Sequence, residues 1–262
     1  GAGTSLAQWR LLKRTADTQM RLLADQPPVQ RDVAYFRARI GTVEGAEDLV
    51  ADDRLLRFAA TAFGMEDQAY AKALLRKVLD SDLNDPRSFA NRLSDGRYKE
   101  MASAFNFRRF GGAKPDIPAF VQQVVDRYMT QRFEEQAGRS NEALRLGLYF
   151  ERKAAGVQNW YQVLADPALA RVARTALNLP EATARTDIDR QVAALRDRFD
   201  IAKLQDRGEV GKLVERFMVL TDVQGGGRTD RAAGPLATLF NPGGGRMVLD
   251  PGTILAASRL RR

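Results

Sequence analysis

Leu49-Val50-Ala51-Asp52-Asp53-Arg54-Leu55 returns as Val163-Leu164-Ala165-Asp166-Pro167-Ala168-Leu169, 114 residues further along the chain. At the same spacing Thr61-Ala62-Phe63-Gly64-Met65 returns as Thr175-Ala176-Leu177-Asn178-Leu179, and Tyr35-Phe36 as Tyr149-Phe150. In the first stretch Asp52 stands before Leu55, Leu56, Ala59, Ala62 and Phe63, the spacing of an amphipathic helix behind an acidic N-cap. Gly64 falls where such a helix stops, and Pro167 takes the favoured first helical position in the second stretch. A pattern of apolar positions that recurs together with its cap predicts two similar helical units related by internal duplication. Such a pattern speaks of architecture before chemistry.

Outward from that repeat, nearly every segment to residue 220 reads as helix. Leu6, Trp9, Leu12, Ala16, Met20 and Leu23 form one apolar stripe, with Arg10, Lys13, Arg14 and Asp17 off it, and Pro27-Pro28 ends it. A second helix carries Val29, Val33, Phe36 and Ile40. Asp67 is expected to open a helix through Ala71, Leu74, Leu75 and Val78, and Asp85-Pro86 the next, with Phe89 and Leu93. Asp95 precedes Tyr98, Met101, Ala102 and Phe105, and its counterpart Asp206 precedes Val210, Leu213 and Phe217. Gly111-Gly112, with Pro115 and Pro118, forms the seam between the copies. The second copy then opens on Phe120, Val124, Tyr128 and Phe133. Sustained alternation of β-branched residues is missing, so strands are not expected.

The fold class expected is therefore all-α: residues 1–112 a first helical unit, 113–220 a second, and 221–262 a flexible Gly/Pro-rich tail. The tail is marked by Gly225-Gly226-Gly227, Gly243-Gly244-Gly245, Pro235, Pro242 and Pro251. It holds two apolar islands, Leu236–Phe240 and Met247–Leu249. From these, Leu236, Leu239, Phe240, Met247 and Leu249 are the candidate partner-binding residues, because apolar islands in a flexible segment fold against a partner or back over their own domain.

Composition removes much chemistry. The 262 residues include no cysteine and no histidine, which excludes disulfides, thiolate nucleophiles, Cys/His zinc sites and imidazole bases. What is left for catalysis is carboxylates, Lys, Tyr and Ser/Thr. The net charge of +8 is spread along the chain: residues 1–112 carry 18 basic and 15 acidic side chains, 113–220 carry 17 and 15, and 221–262 carry 6 and 3. A phosphate backbone is bound by a concentrated basic face, so nucleic acid is not an expected partner. No apolar run reaches the roughly 18–20 residues of a membrane span, and the opening Gly1-Ala2-Gly3-Thr4-Ser5 carries no secretory-signal pattern.

The remaining candidate sites read as structure. Asp52-Asp53 and the run Asp80, Asp82, Asp85 lack the glycine and terminal glutamate of a calcium loop. The glycine triplets before Arg228 and Arg246 lack the strand, helix and Gly-Lys-Ser/Thr ending of a phosphate loop. Tyr35-Phe36 and Tyr149-Phe150 are expected to anchor the core. Neither a catalytic, a cofactor nor a metal site is expected.

Several blocks resemble one family. They are Trp9-Arg10-Leu11-Leu12-Lys13-Arg14-Thr15, Arg31-Asp32-Val33-Ala34-Tyr35-Phe36, Asp48 to Leu56, Ala62-Phe63-Gly64-Met65, Arg76 to Asp82 and Ser88 to Tyr98. Together they are similar to the bacterial domain-of-unknown-function family 1217, over about residues 6–220 and most strongly over 31–107. The resemblance implies an alphaproteobacterial setting and, from the genes among which members lie, a role in the flagellum. It carries no catalytic residues onto this chain. The expected function is that of a non-enzymatic flagellum-associated structural or assembly protein working through protein–protein contacts. The alternative is a cytoplasmic chaperone-like accessory protein for flagellar export substrates, ahead of a carboxylate-based enzyme or a nucleic-acid binder. The expected location is the cytoplasm or, after export, the flagellum.

Overall fold

A computed structural model describes residues 3–107 and 118–229, and every regular element among them is helical. The α-helices are α1 (Ser5–Ala24), α2 (Pro27–Arg39), α3 (Ala46–Ala51), α4 (Asp53–Ala62), α5 (Lys72–Leu79), α6 (Phe89–Arg92), α7 (Gly96–Phe105), α8 (Pro118–Ser140), α9 (Glu142–Ala154), α10 (Trp160–Leu164), α11 (Pro167–Ala176), α12 (Ile188–Arg198) and α13 (Arg207–Thr229). Short 3₁₀ turns at Ile40–Thr42, Glu66–Gln68, Glu181–Arg185 and Ile201–Gln205 join some of them.

Among the described residues two compact units form, one within residues 17–133 and one from residues 3–16 with 134–229. They are drawn otherwise than the segments 1–112 and 113–220, because α1 and α8 each give residues to both. At 20 and 23 residues, these two helices run to about 30 and 35 Å. The seam at 112/113 falls in 108–117, outside the described residues.

In the unit of residues 17–133, α2 packs on α4, α3 on α4 and α5, and α5 on α6 and α7. Phe36, Leu49, Leu55, Phe63, Met65, Leu75 and Phe105 are fully buried there. Phe58 is the middle of a three-ring stack, its centroid 4.5 Å from Phe36 and 4.0 Å from Tyr128, with planes inclined by 17° and 12°. A small satellite core of Val78, Ala90 and Ala102 sits under Leu83, Phe89, Leu93 and Tyr98.

In the other unit, α9 and α11 both pack on α13, and α10 on α11 and α12. Gly147 lets α1 and α13 close on α9: a Cβ there would lie 2.6 Å from Met218 Cε, 2.9 Å from the Trp9 ring and 3.1 Å from Val214 Cγ1. Trp9 is 3% exposed against that surface. Polar contacts fasten α1 beside α13: the Ser5 backbone N–H and hydroxyl donate to Asp222 at 2.7 and 2.6 Å, and Arg10 pairs with Glu215 at 3.0 Å.

The expected helix starts are met at Asp52, Asp95, Asp166 and Asp206, Asp95 accepting from one backbone N–H of the first turn and the others from two. Two others differ. Glu66–Gln68, around Asp67, is a 3₁₀ turn, and α5 starts only at Lys72. Asp85 accepts from Arg87 N at 2.9 Å in a local turn, and α6 starts behind Ser88. A short acidic side chain serves a turn as readily as a helix cap, and sequence alone does not separate the two. Pro27-Pro28 opens α2 as well as following α1.

The first residues of the expected tail are helical. α13 continues through Gly225-Gly226-Gly227 to Thr229. Residues 230–262 of the expected tail, and with them Leu236, Leu239, Phe240, Met247 and Leu249, lie outside the described residues.

Candidate functional site

Asp52 and Asp166 are the carboxylates that the sequence brings forward, and their surroundings match. One oxygen of Asp52 accepts from Arg54 N at 3.1 Å and Leu55 N at 3.0 Å, and the other from the Tyr35 hydroxyl at 2.8 Å. One oxygen of Asp166 accepts from Ala168 N at 3.0 Å and Leu169 N at 3.2 Å, and the other from the Tyr149 hydroxyl. A cation one turn on lies over each tyrosine ring: Arg39 at 5.4 Å from Tyr35, and Lys153 at 5.8 Å from Tyr149. The hydrogen bond to Asp52, with burial second, holds the Tyr35 hydroxyl above the usual tyrosine range.

The far ends of the same two helices match as well. Gly64 (φ +76°) and Asn178 (φ +57°) both sit in the left-handed region. Gly64 N donates to Thr61 O at 2.9 Å and Met65 N to Ala60 O at 2.8 Å. Asn178 N donates to Thr175 O at 3.0 Å and Leu179 N to Arg174 O at 2.9 Å. This is the Schellman closure twice over, with asparagine as the residue besides glycine that tolerates the left-handed turn.

These carboxylates are therefore committed. Two backbone N–H groups and a phenol occupy each, and Arg39 lies 4.0 Å from Asp52 as well. Asp53 faces Lys72, whose hydrogen bond lowers its carboxyl below the ordinary range, so Asp52 and Asp53 serve different partners. Among the described residues, no group of three or more Asp and Glu side chains is placed to hold a metal ion. Replacing Asp52 or Asp166 by Ala is expected to cost about 0.5–2 kcal/mol in each case. Urea midpoints measured by circular dichroism check this, and the two losses should be similar.

The tyrosines behave otherwise than expected. Phe36 and Phe150 are the buried anchors, 0% and 1% exposed. Tyr35 and Tyr149 are half-buried and turn their hydroxyls to the aspartates. The aromatic pair is thus one core residue and one latch on the helix cap.

Sequence reasoning missed a buried charge pair. Glu134 is 5% exposed, and Arg152 of α9 grips it through Nε and a second nitrogen. Glu134 also opposes the burial that lowers the Arg145 guanidinium below its ordinary range. On α11, burial lowers Arg171 and Arg174 against the pull of Glu181. No pattern in the sequence pairs Glu134 with Arg152, which lie 18 residues apart on separate helices.

Tyr128, at the end of the three-ring stack, has its hydroxyl 3.3 Å from Asp32 and is pushed up to about 12, chiefly by burial and against the pull of Arg132. An unfolded chain releases a tyrosine proton near pH 10, so the folded state keeps this one longer. The contribution is complete below about pH 10 and is lost as pH rises towards 12. Tyr128→Phe should flatten that alkaline fall in urea midpoint; an unchanged slope would place its origin in other groups.

Exposed apolar side chains are the last feature. Val219 and Val223 of α13 are 44% and 69% exposed, on the helix that leads to residues 230–262. No helix among the described residues is long and apolar enough to cross a membrane.

Comparison with known proteins agrees with this architecture. The X-ray crystal structure of a protein from Agrobacterium tumefaciens matches with a TM-score of 0.75 and 40% identity, over 83% of this chain and 93% of that one. No curated protein matches the chain. The family model described as a protein of unknown function, DUF1217, matches residues 62–210. That stretch takes in α5 to α12 whole, with Gly64 at the close of α4, the Schellman closure at Asn178 and the Tyr149–Asp166 latch, and the chain belongs to this family.

Proposed function

We propose that this chain is a non-enzymatic scaffold that works by protein–protein contact in the structure or assembly of the bacterial flagellum, and that its two helical units arose by duplication of one. The observation that carries the reading is the pair Asp52 and Asp166. Spaced by 114 residues, they have the same three donors and stand at the heads of helices with the same closing turn. Aspartates spent on helix caps at both matched positions support a structural role. The buried positions support the duplication further: Val43, Ala46 and Leu49 correspond to Val157, Trp160 and Val163, and Met101, Ala102 and Phe105 to Leu213, Val214 and Phe217.

Contact with partners falls to what lies outside that repeat, namely the tail with Leu236, Leu239, Phe240, Met247 and Leu249. The flagellar setting comes from the family resemblance. Since α13 runs to Thr229, the cut that tests the tail falls after that residue. Cells carrying the chain without residues 230–262 should accumulate the protein at normal level and lose swimming. Normal swimming at normal protein level would remove the tail from the mechanism.

A further inference from the structure

Lys212, Arg216, Val219 and Val223 follow one another along α13 at spacings of four, three and four. That spacing sets all four on one face of the helix. All four are exposed: the valines at 44% and 69% and the Lys212 side chain at 77%. The opposite side of the same helix is spent on the core, where Val210, Leu213, Val214, Phe217 and Met218 are buried. The row spans about 16 Å, or three turns. It is graded: two cations towards the N-terminal half, two aliphatic side chains towards the C-terminal half. Glu209 lies 3.6 Å from Lys212 and answers part of its charge.

We propose that this face of α13 docks an amphipathic helix of a partner protein, one that brings acidic side chains to Lys212 and Arg216 and aliphatic ones to Val219 and Val223. Charge selects this occupant over two others. A second copy in antiparallel register would set Lys212 and Arg216 on Val223 and Val219, and in parallel register would oppose like charges, which costs rather than binds. The chain's own residues 230–262 carry two aspartates, Asp230 and Asp250, against five arginines, so their net charge opposes the two cations. A graded row also fixes direction, since only one orientation of the partner helix satisfies both halves. This face is distinct from the tail residues to which the preceding reading assigns contact, and either assignment stands or falls without the other.

The test uses the purified full chain and two fluorescently labelled peptides of about three heptads with a leucine seam, one flanked by Glu and the other by Lys. The Glu peptide is expected to bind at least roughly tenfold more tightly than the Lys peptide by anisotropy. Val219→Ser with Val223→Ser should weaken it by about tenfold or more. Lys212→Glu with Arg216→Glu should reverse the preference between the peptides. The four positions are exposed, so circular dichroism and the melting temperature should stay as in the parent. Equal binding of the two peptides, or binding indifferent to both pairs of substitutions, would overturn the proposal. So would self-association that the valine substitutions abolish, which would give the face to a second copy. Tighter peptide binding after removal of residues 230–262 would give it to the chain's own tail, with the same consequence.

Discussion

Trp9→Ala is expected to destabilise the unit it belongs to by about 3–5 kcal/mol, the range for deleting a buried large aromatic. The indole is 3% exposed and lies on the glycine face of α9, close to where a Cβ at Gly147 would meet Met218 and Val214. The facing position is a glycine and offers no side chain to the space, and Met218 is the neighbour able to shift into part of it. The loss should appear as a urea midpoint shift at unchanged slope. Leu11→Ala, two residues along and 51% exposed, should stay within about 0.5 kcal/mol. Equal losses at the two positions would mean that α1 is not held by the Trp9–Gly147 contact. Gly147→Ala makes the complementary test, since overfilling the same contact should cost about 1–3 kcal/mol.

The second large effect is expected at Phe58. Phe58→Ala removes the middle ring of the Phe36–Phe58–Tyr128 stack, from a site 4% exposed. The expected cost is again about 3–5 kcal/mol, part of it from ring–ring contact worth about 0.5–1.5 kcal/mol for each pair beyond area burial. Phe58→Leu keeps most of the volume and loses the stacking, so it should cost less. A double-mutant cycle with Phe36→Leu would isolate the pair, and a coupling near zero would show that the rings merely fill space. Tyr128 binds the stack to the alkaline behaviour described above: Phe58→Ala opens the pocket that desolvates its hydroxyl, and should shift the alkaline fall towards lower pH.

How far these features could be read from the sequence depended on whether their signals are local. Asp52, Asp166 and Gly64 declare themselves because a helix cap and its closing turn are written in neighbouring residues, and all three do what their sequence contexts predict. Asp67 and Asp85 failed for a local reason too, because an aspartate before apolar residues suits a tight turn equally well. The glycine triplet at 225–227 reads as linker by composition, yet the helix of Val210, Leu213, Phe217 and Thr221 carries through it. Core packing over the preceding turns outweighs a helix propensity deficit of about 1 kcal/mol per glycine.

What could not be read was non-local. Trp9 against Gly147, Glu134 against Arg152 and Ser5 against Asp222 are separated by 138, 18 and 217 residues, and no short pattern links their partners. The same limit applied to the tyrosines. Tyr35 and Phe36 look alike in a hydropathy pattern, and only the return of Asp52 to the Tyr35 hydroxyl separates a latch from a core residue. The candidate contact face on α13 was hidden by its opposite side, whose apolar periodicity dominates the helix. Val219 and Val223 become visible as a feature only once the buried residues are accounted for.

The most direct test of the proposed role is where the protein resides. Immunoblots of cytoplasm, periplasm, purified flagella and culture medium, from wild-type cells and from a flagellar-export mutant, separate the cases. The expected result is the protein in purified flagella or in the medium of the wild type, and its disappearance from both in the export mutant. Retention in the cytoplasm of both strains would contradict a structural or assembly role in the flagellum and would point to an accessory protein that holds its client inside the cell.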